Sequence, residues 1–217
     1  MPTRPARPRR TTPLTSGSMV ATALRVARDE GLAAVSMRRL AEESGVSAMA
    51  LYRHVTDRED LLIRMLDAVA ESIPAPPAAG TPRERLTVIM HGMYEAFRRD
   101  PWVVQVLVTE GLASTRVLPV LEGVFAAFAD AGLEPARGRD AYALLFSFLF
   151  GETLVAHHDR ADTQARRMML AVDPERFPRL REAIAAGYRT GDLAGPRDRE
   201  RFAAHLDRVL DGVLGPR

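Results

Sequence analysis

Helix start signals recur along this chain, each a polar cap followed by proline or a well-placed acid and then an apolar stripe. No stretch alternates apolar and polar residues with period two, so no sheet is expected. Thr15 caps a helix running to Glu30, where Gly31 stops it, and Val20, Ala23, Leu24 and Ala27 give it one apolar face. Ser36 caps Met37–Ser44, Gly45 interrupts, and Ser47 caps Ala48–Val55. Thr56-Asp57-Arg58-Glu59 reads as a capping box in which Glu59 reaches back to the Thr56 amide. It opens a helix over 57–72 with Leu61, Leu62, Met65, Leu66 and Val69 inside. Ile73 to Gly80, I-P-A-P-P-A-A-G, is a linker. Thr81-Pro82-Arg83-Glu84, Asp100-Pro101 and Asp173-Pro174 start further helices. Helices are predicted near 83–99, 101–109, 115–131, 139–158, 164–171, 175–188 and 198–214. The last two carry the stripes Phe177, Leu180, Ile184, Tyr188 and Phe202, Leu206, Val209, Leu210, Val213. The expected fold is all-α. Residues 1–13, with Arg4, Arg7, Arg9 and Arg10 and almost nothing apolar, read as a disordered basic arm.

Charge divides the chain where the helix pattern does. Residues 1–58 hold ten arginines against five acids, while 59–217 hold twenty against twenty-three, so a net +2 conceals a basic head on an acidic body. Every basic residue is Arg, and Lys, Asn and Cys are absent. That excludes a Schiff-base or P-loop lysine, N-glycosylation, disulfides and a cysteine nucleophile. The longest apolar run, between Asp140 and Glu152, is about half a membrane span. A cytoplasmic protein with no membrane partner is expected.

Three short helices with a glycine turn between the second and third describe a helix-turn-helix. Met37–Ser44 supports, and Ala48–His54 recognises. Leu51 and Val55 face inward toward Leu40, Ala41 and Val46, leaving Ala48, Met49, Tyr52, Arg53 and His54 on the outer face. Small residues at the start of the recognition helix let its backbone approach the bases of a major groove about 12 Å wide. Ser47, as its cap, belongs to the same surface. Arg38 starts the supporting helix, where amides and dipole favour a phosphate, and Arg58 starts the next and clamps the opposite backbone. By the residues alone, a plain three-helix cap with a charged face stays open.

Ser36–Leu62, S-M-R-R-L-A-E-E-S-G-V-S-A-M-A-L-Y-R-H-V-T-D-R-E-D-L-L, resembles the DNA-binding head of the TetR/AcrR transcriptional regulators; with the first helix, the likeness covers about Leu14–Val69. The segments R-R-D-P-W (Arg98–Trp102), A-Y-A-L-L-F-S-F-L-F-G (Ala141–Gly151) and R-F-A-A-H-L-D-R-V-L-D-G-V (Arg201–Val213) resemble the tetracycline-repressor-type C-terminal domain more loosely. The resemblance implies a head over 14–60 and a helical ligand-binding and dimerisation body over 61–217. It implies a homodimer that represses from a palindromic operator on double-stranded DNA and leaves when a small-molecule effector binds. It places Arg38, Ala48, Met49, Tyr52, Arg53 and His54 at base- or phosphate-facing positions, and Arg58 at a phosphate contact. Ala48 and Met49 replace the Gln and Pro of the tetracycline repressors, so their operator does not transfer.

Departures also concern the ligand. The two histidines and the acid that serve the tetracycline repressors' magnesium site align with Gln105, Ser147 and Val155. A ligand without metal and without cofactor is therefore expected. Its pocket would draw on His91, Tyr94, Trp102, Gln105, Phe128, Phe146, Ser147 and Phe150, with Met90 and Phe125 beside them, although an aromatic stripe such as Phe146, Phe148 and Phe150 equally fits a plain core. His157 and His158 point about 100° apart on a helix and do not converge on a metal. The dimer face is expected on helices 139–158 and 198–214, the first apolar around most of its circumference with small Ala143 and Gly151. No G-x-S-x-G, H-E-x-x-H or strand-borne G-x-G-x-x-G occurs, so no enzyme is expected. The rival functions are a ligand-independent DNA-binding regulator with a solid body, and an activator.

Overall fold

The computed structural model describes residues 15–156, 163–185 and 198–215. The basic arm, His157, His158, Asp159 and Tyr188 lie outside the described residues, as does the side chain of Val155. Among the described residues there are helices and no strands.

Capping chemistry sets most boundaries. Helix α1, Ser16–Glu30, begins at Thr15, which accepts a hydrogen bond from the Ser18 amide at 3.0 Å while the Ser18 hydroxyl accepts one from the Thr15 amide. A 3-10 turn at Leu32–Ala34 leads to α2, Met37–Ser44, capped by Ser36. Gly45 follows with φ 69° and ψ 28°, a left-handed conformation that other residues adopt only under strain. Helix α3 is Ala48–Leu51, capped by Ser47.

The recognition helix is thus shorter than the predicted Ala48–Val55. Past Leu51 the chain continues as hydrogen-bonded turns, the His54 and Val55 amides both donating to the Leu51 carbonyl. The start of α4, Arg58–Ala70, also corrects the prediction by one residue. Asp57 is the cap and accepts from the Asp60 amide at 2.8 Å, while the Asp60 carboxylate, not Glu59, takes the Thr56 amide at 2.9 Å. Asp and Thr are both good caps, and the shorter Asp60 fits the reach better from one position further on.

Two compact units follow from the packing: the described residues to Ala78 with Glu95–Val124, and Ala79–Tyr94 with the described residues from Phe125 onward. In the first unit, α1 packs against α2 and α4, and α2 against α3. Its core holds Met19, Ala23, Val26, Leu40, Leu51, Leu62, Met65 and Val106, all fully buried. The unit also holds α6, Trp102–Gln105, a π-helical turn at Val106–Glu110, and a 3-10 turn at Thr115–Val117 that packs on α4. A single helix over 101–109 was predicted; α6 instead widens into the π turn.

The boundary between the units falls inside α5, Pro82–Arg99, and again inside α7, Leu118–Asp130. In the second unit, α8, Pro135–Ala156, starts four residues before the predicted 139 because Glu134-Pro135 is itself a start. Then come α9, Gln164–Leu170, α10, Pro178–Ala185, and α11, Asp198–Leu214. The predicted start of α10 at 175 gives way to a turn in which Asp173 accepts from the Glu175 amide. Pro178, with no amide to donate, then serves as the new first residue. Helices α8 and α11 pack together. Leu86, Met90, Tyr94, Phe128, Leu145, Leu149, Phe202, Leu206 and Leu210 form this unit's core.

Candidate nucleic-acid interface

Leu51 and Val55 are almost wholly buried and Leu40 and Ala41 are buried with them, while Val46 is half-buried. These anchors fix which way the turn after Gly45 faces. Burying a residue such as Leu51 is worth about 1.5–3 kcal/mol. The remaining residues of α3 and its extension point out: Ala48, Met49 (74% exposed), Tyr52 (50%) and Arg53, with Ser47 beside them and His54 half-buried. Met49 and Tyr52 thus stand outside the chain's own core.

The arginines sort into two kinds. Arg39 bridges Glu30 and Glu43, and Arg25 also holds Glu43, so these two lock α2 to α1. Hydrogen bonds from Arg39, then Arg25, hold Glu43 below the usual carboxylate range. Arg38 stands 84% exposed and, among the described residues, pairs with its neighbour Glu42, four residues on. A pair of that kind exchanges readily for another anion. Arg58 lies at the head of α4 but is engaged by the Glu110 carboxylate at 2.7 and 3.2 Å.

A buried ion cluster closes the first unit. Asp100 is fully buried at the end of α5. Arg28 of α1 donates to both its oxygens, at 2.7 and 2.9 Å, and Arg99 and the Trp102 indole donate as well. Burial by itself raises the Asp100 carboxyl, but these donors, Arg28 foremost, outweigh it and hold the group ionised below its ordinary range. Asp67 of α4 accepts from Ser114, and Glu71, which caps the end of that helix, faces Arg116 at 3.8 Å. The pairs that join distant segments were not legible beforehand: Arg28 and Asp100 stand 72 residues apart, and no local motif announces a contact at that separation.

The expected pocket residues fall in both units. Trp102 and Gln105 belong to the first, where Trp102 is buried with its indole spent on Asp100 and Gln105 is exposed. His91, Tyr94, Phe128, Phe146, Ser147 and Phe150 belong to the second. There Tyr94 stacks flat on Phe202 at 4.0 Å, with His91 and Phe148 at 5.2 and 5.3 Å from the same ring. That makes Tyr94 part of a packed core. His91 borders a cleft of about 500 Å³ of mixed lining, with Thr81, Arg83, Thr87 and Asp207 beside Val88 and Ala203. Phe146 and Phe150 continue a row from Phe125 through Tyr142, with centroid spacings of 5.3, 4.2 and 5.9 Å, and Phe128 meets Phe125 edge-on. Burial raises the Tyr142 hydroxyl pKa. Ser147 does not join this row. It sits on the exposed face of α8 with Ala143, Leu144, Gly151 and Leu154, because Leu145, Phe146 and Leu149 take the inward positions of the helix.

Comparison with known proteins accounts for nearly the whole chain. Residues 19–65 match the family described as bacterial regulatory proteins, tetR family, and residues 73–215 match the tetracyclin repressor-like C-terminal domain. The chain belongs to the TetR family of transcriptional regulators. Among its relatives is the HTH-type transcriptional repressor DrrR1 of Streptomyces coeruleorubidus, 30% identical over 97% of this chain and 80% of that protein. An HTH-type transcriptional regulator of Saccharopolyspora erythraea is 32% identical over 94% and 85%. Among solved structures, the TetR-family protein ActR of Streptomyces coelicolor in complex with actinorhodin superposes with a TM-score of 0.74 at 25% identity, covering 94% of this chain and 97% of that one. The exposed α3 surface lies within the segment that matches the tetR family. Among the described residues no single helix is long and apolar enough to cross a membrane.

Proposed function

We propose that this TetR-family regulator is a repressor that binds a palindromic operator as a homodimer and is released by a small molecule. The observation that carries the reading is the outward set Met49, Tyr52 and Arg53, held in place by buried Leu51 and Val55. Ala48 and Ser47 let the backbone approach the groove, Tyr52, Arg53 and His54 reach base edges and phosphates, and Arg38 and Arg58 grip the flanking backbone. The likeness to a named repressor supports the sign of regulation. In a homodimer the two recognition helices meet the groove about 34 Å apart.

The dimer forms through the exposed stripe of α8, Ala143, Leu144, Ser147, Gly151 and Leu154, together with the exposed side of α11, where Ala204 and Gly212 are small. The functional division follows the head at 14–60 and the body at 61–217. The effector lies against the aromatic row of Phe125, Tyr142, Phe146 and Phe150, which suits a planar, largely apolar molecule and needs no metal. The actinorhodin complex of the similar ActR supports an organic effector.

A gel-shift assay on a duplex from the chain's own promoter region tests the reading. Tyr52→Ala and Arg53→Ala are each expected to weaken binding by about 1–3 kcal/mol. Unchanged binding by both variants rejects the assignment of this face.

A further inference from the structure

Five residues after α6, Val106–Glu110, wind as a π-helix that Gly111 ends in a left-handed conformation (φ 67°, ψ 18°). Short π segments recur at functional positions, because the wider turn re-aims one side chain. The Thr109 hydroxyl, bonded back to the Gln105 carbonyl at 2.7 Å, secures the end of this turn. The side chain it presents next is Glu110, whose two oxygens take both terminal nitrogens of Arg58. Neither partner is sealed in: their side chains are 48% and 27% exposed. Arg58 is also the first residue of a thirteen-residue helix, where the amides and dipole attract an anion in their own right.

We infer that Glu110 is an intramolecular stand-in for a DNA phosphate, a positioning residue that sets the head's DNA affinity by competing for Arg58. The inference rests on the reading above, in which Arg58 touches the DNA backbone. A carboxylate and a phosphodiester offer the same pair of oxygens to a guanidinium, and Glu110 already takes both terminal nitrogens of Arg58, so a phosphate that approaches the same edge must displace it. Binding DNA therefore exchanges Glu110 for phosphate. The released carboxylate then stands beside a polyanion, which adds repulsion to the lost ion pair. Arg38 faces a different competitor, the helix neighbour Glu42 of its own α2. Glu110 belongs instead to a turn 52 residues away in sequence, so its hold on the head depends on the shape of that turn.

The full chain tests this by anisotropy titration of a fluorescent duplex from its promoter region. Glu110→Gln, backed by Glu110→Ala, is expected to tighten binding roughly 2- to 5-fold per head, the range set by an exposed ion pair. Glu59→Gln, which removes a neighbouring α4 acid, measures the gain from lost negative charge alone, and is expected to fall short of that. Arg58→Ala is expected to weaken binding, and in the Arg58→Ala background Glu110→Gln should gain no more than Glu59→Gln does. The inference is overturned if Glu110→Gln merely matches Glu59→Gln, or if its excess gain survives without Arg58. Unchanged binding by Arg58→Ala alone overturns the phosphate contact beneath it, and is a distinguishable failure.

Discussion

Asp100 shows how much one side chain can hold. Its carboxylate is buried without loss because three donors from α1, α5 and α6 converge on it. Asp100→Asn keeps the shape but removes the charge that Arg28 and Arg99 answer. We expect a loss of about 2 kcal/mol, discounted from a fully buried pair because Arg28 is itself partly in solvent, and readable by urea unfolding. The pH dependence follows from the lowered value. A depressed carboxyl stabilises the fold above its unfolded value, roughly pH 4, and that contribution is lost as pH falls through the folded value. Wild type should therefore lose stability on acidification below about pH 4 more steeply than Asp100→Asn. Parallel acid titrations of the two proteins reject the account.

At the scale of elements, what was legible beforehand was whatever local chemistry decides. Thr81 and Glu84 exchange hydrogen bonds as their spacing predicts, and α5 starts beside them at Pro82. Buried Leu51 and Val55 sit where the periodicity puts them, so the outward face of the recognition element was legible too. Its length was not: α3 ends at Leu51, and no glycine, proline or capping signal in A-M-A-L-Y-R-H-V marks a stop there. The widening at Val106–Glu110 carries no mark in V-L-V-T-E either. Nor was the facing of Ser147 legible: on a helix as apolar as α8, periodicity hardly distinguishes inside from outside, and neighbours decide. The outer stripe of α8 now gives a sharp test. A Cβ added at Gly151 meets nothing within 4 Å, and replacing a mid-helix glycine favours the helix by roughly 0.5–1 kcal/mol. Gly151→Arg should keep the monomer's circular dichroism intact while abolishing self-association in analytical ultracentrifugation. A dimer of undiminished strength in that variant contradicts the assigned face.

For the whole molecule, charge is distributed by role. Twenty-three acids against twenty arginines leave the chain beyond residue 58 slightly acidic, while the arm and head are basic, so DNA contact is expected to be confined to the latter. Binding should weaken steeply with salt. Deleting residues 2–12 removes four arginines and should flatten the slope of log K against log salt by up to about 3.6 if all four meet phosphates. An unaltered slope assigns the electrostatics to the head alone. The exposed leucines of α8, Leu144 and Leu154, carry a last consequence. For the proposed dimer, cellular copy number becomes a control variable: below the dissociation constant, dimer concentration falls as the square of the protomer concentration, and operator occupancy falls with it. A gene for such a regulator would then be dosage-sensitive, its silencing threshold fixed by synthesis and degradation rates as firmly as by any effector.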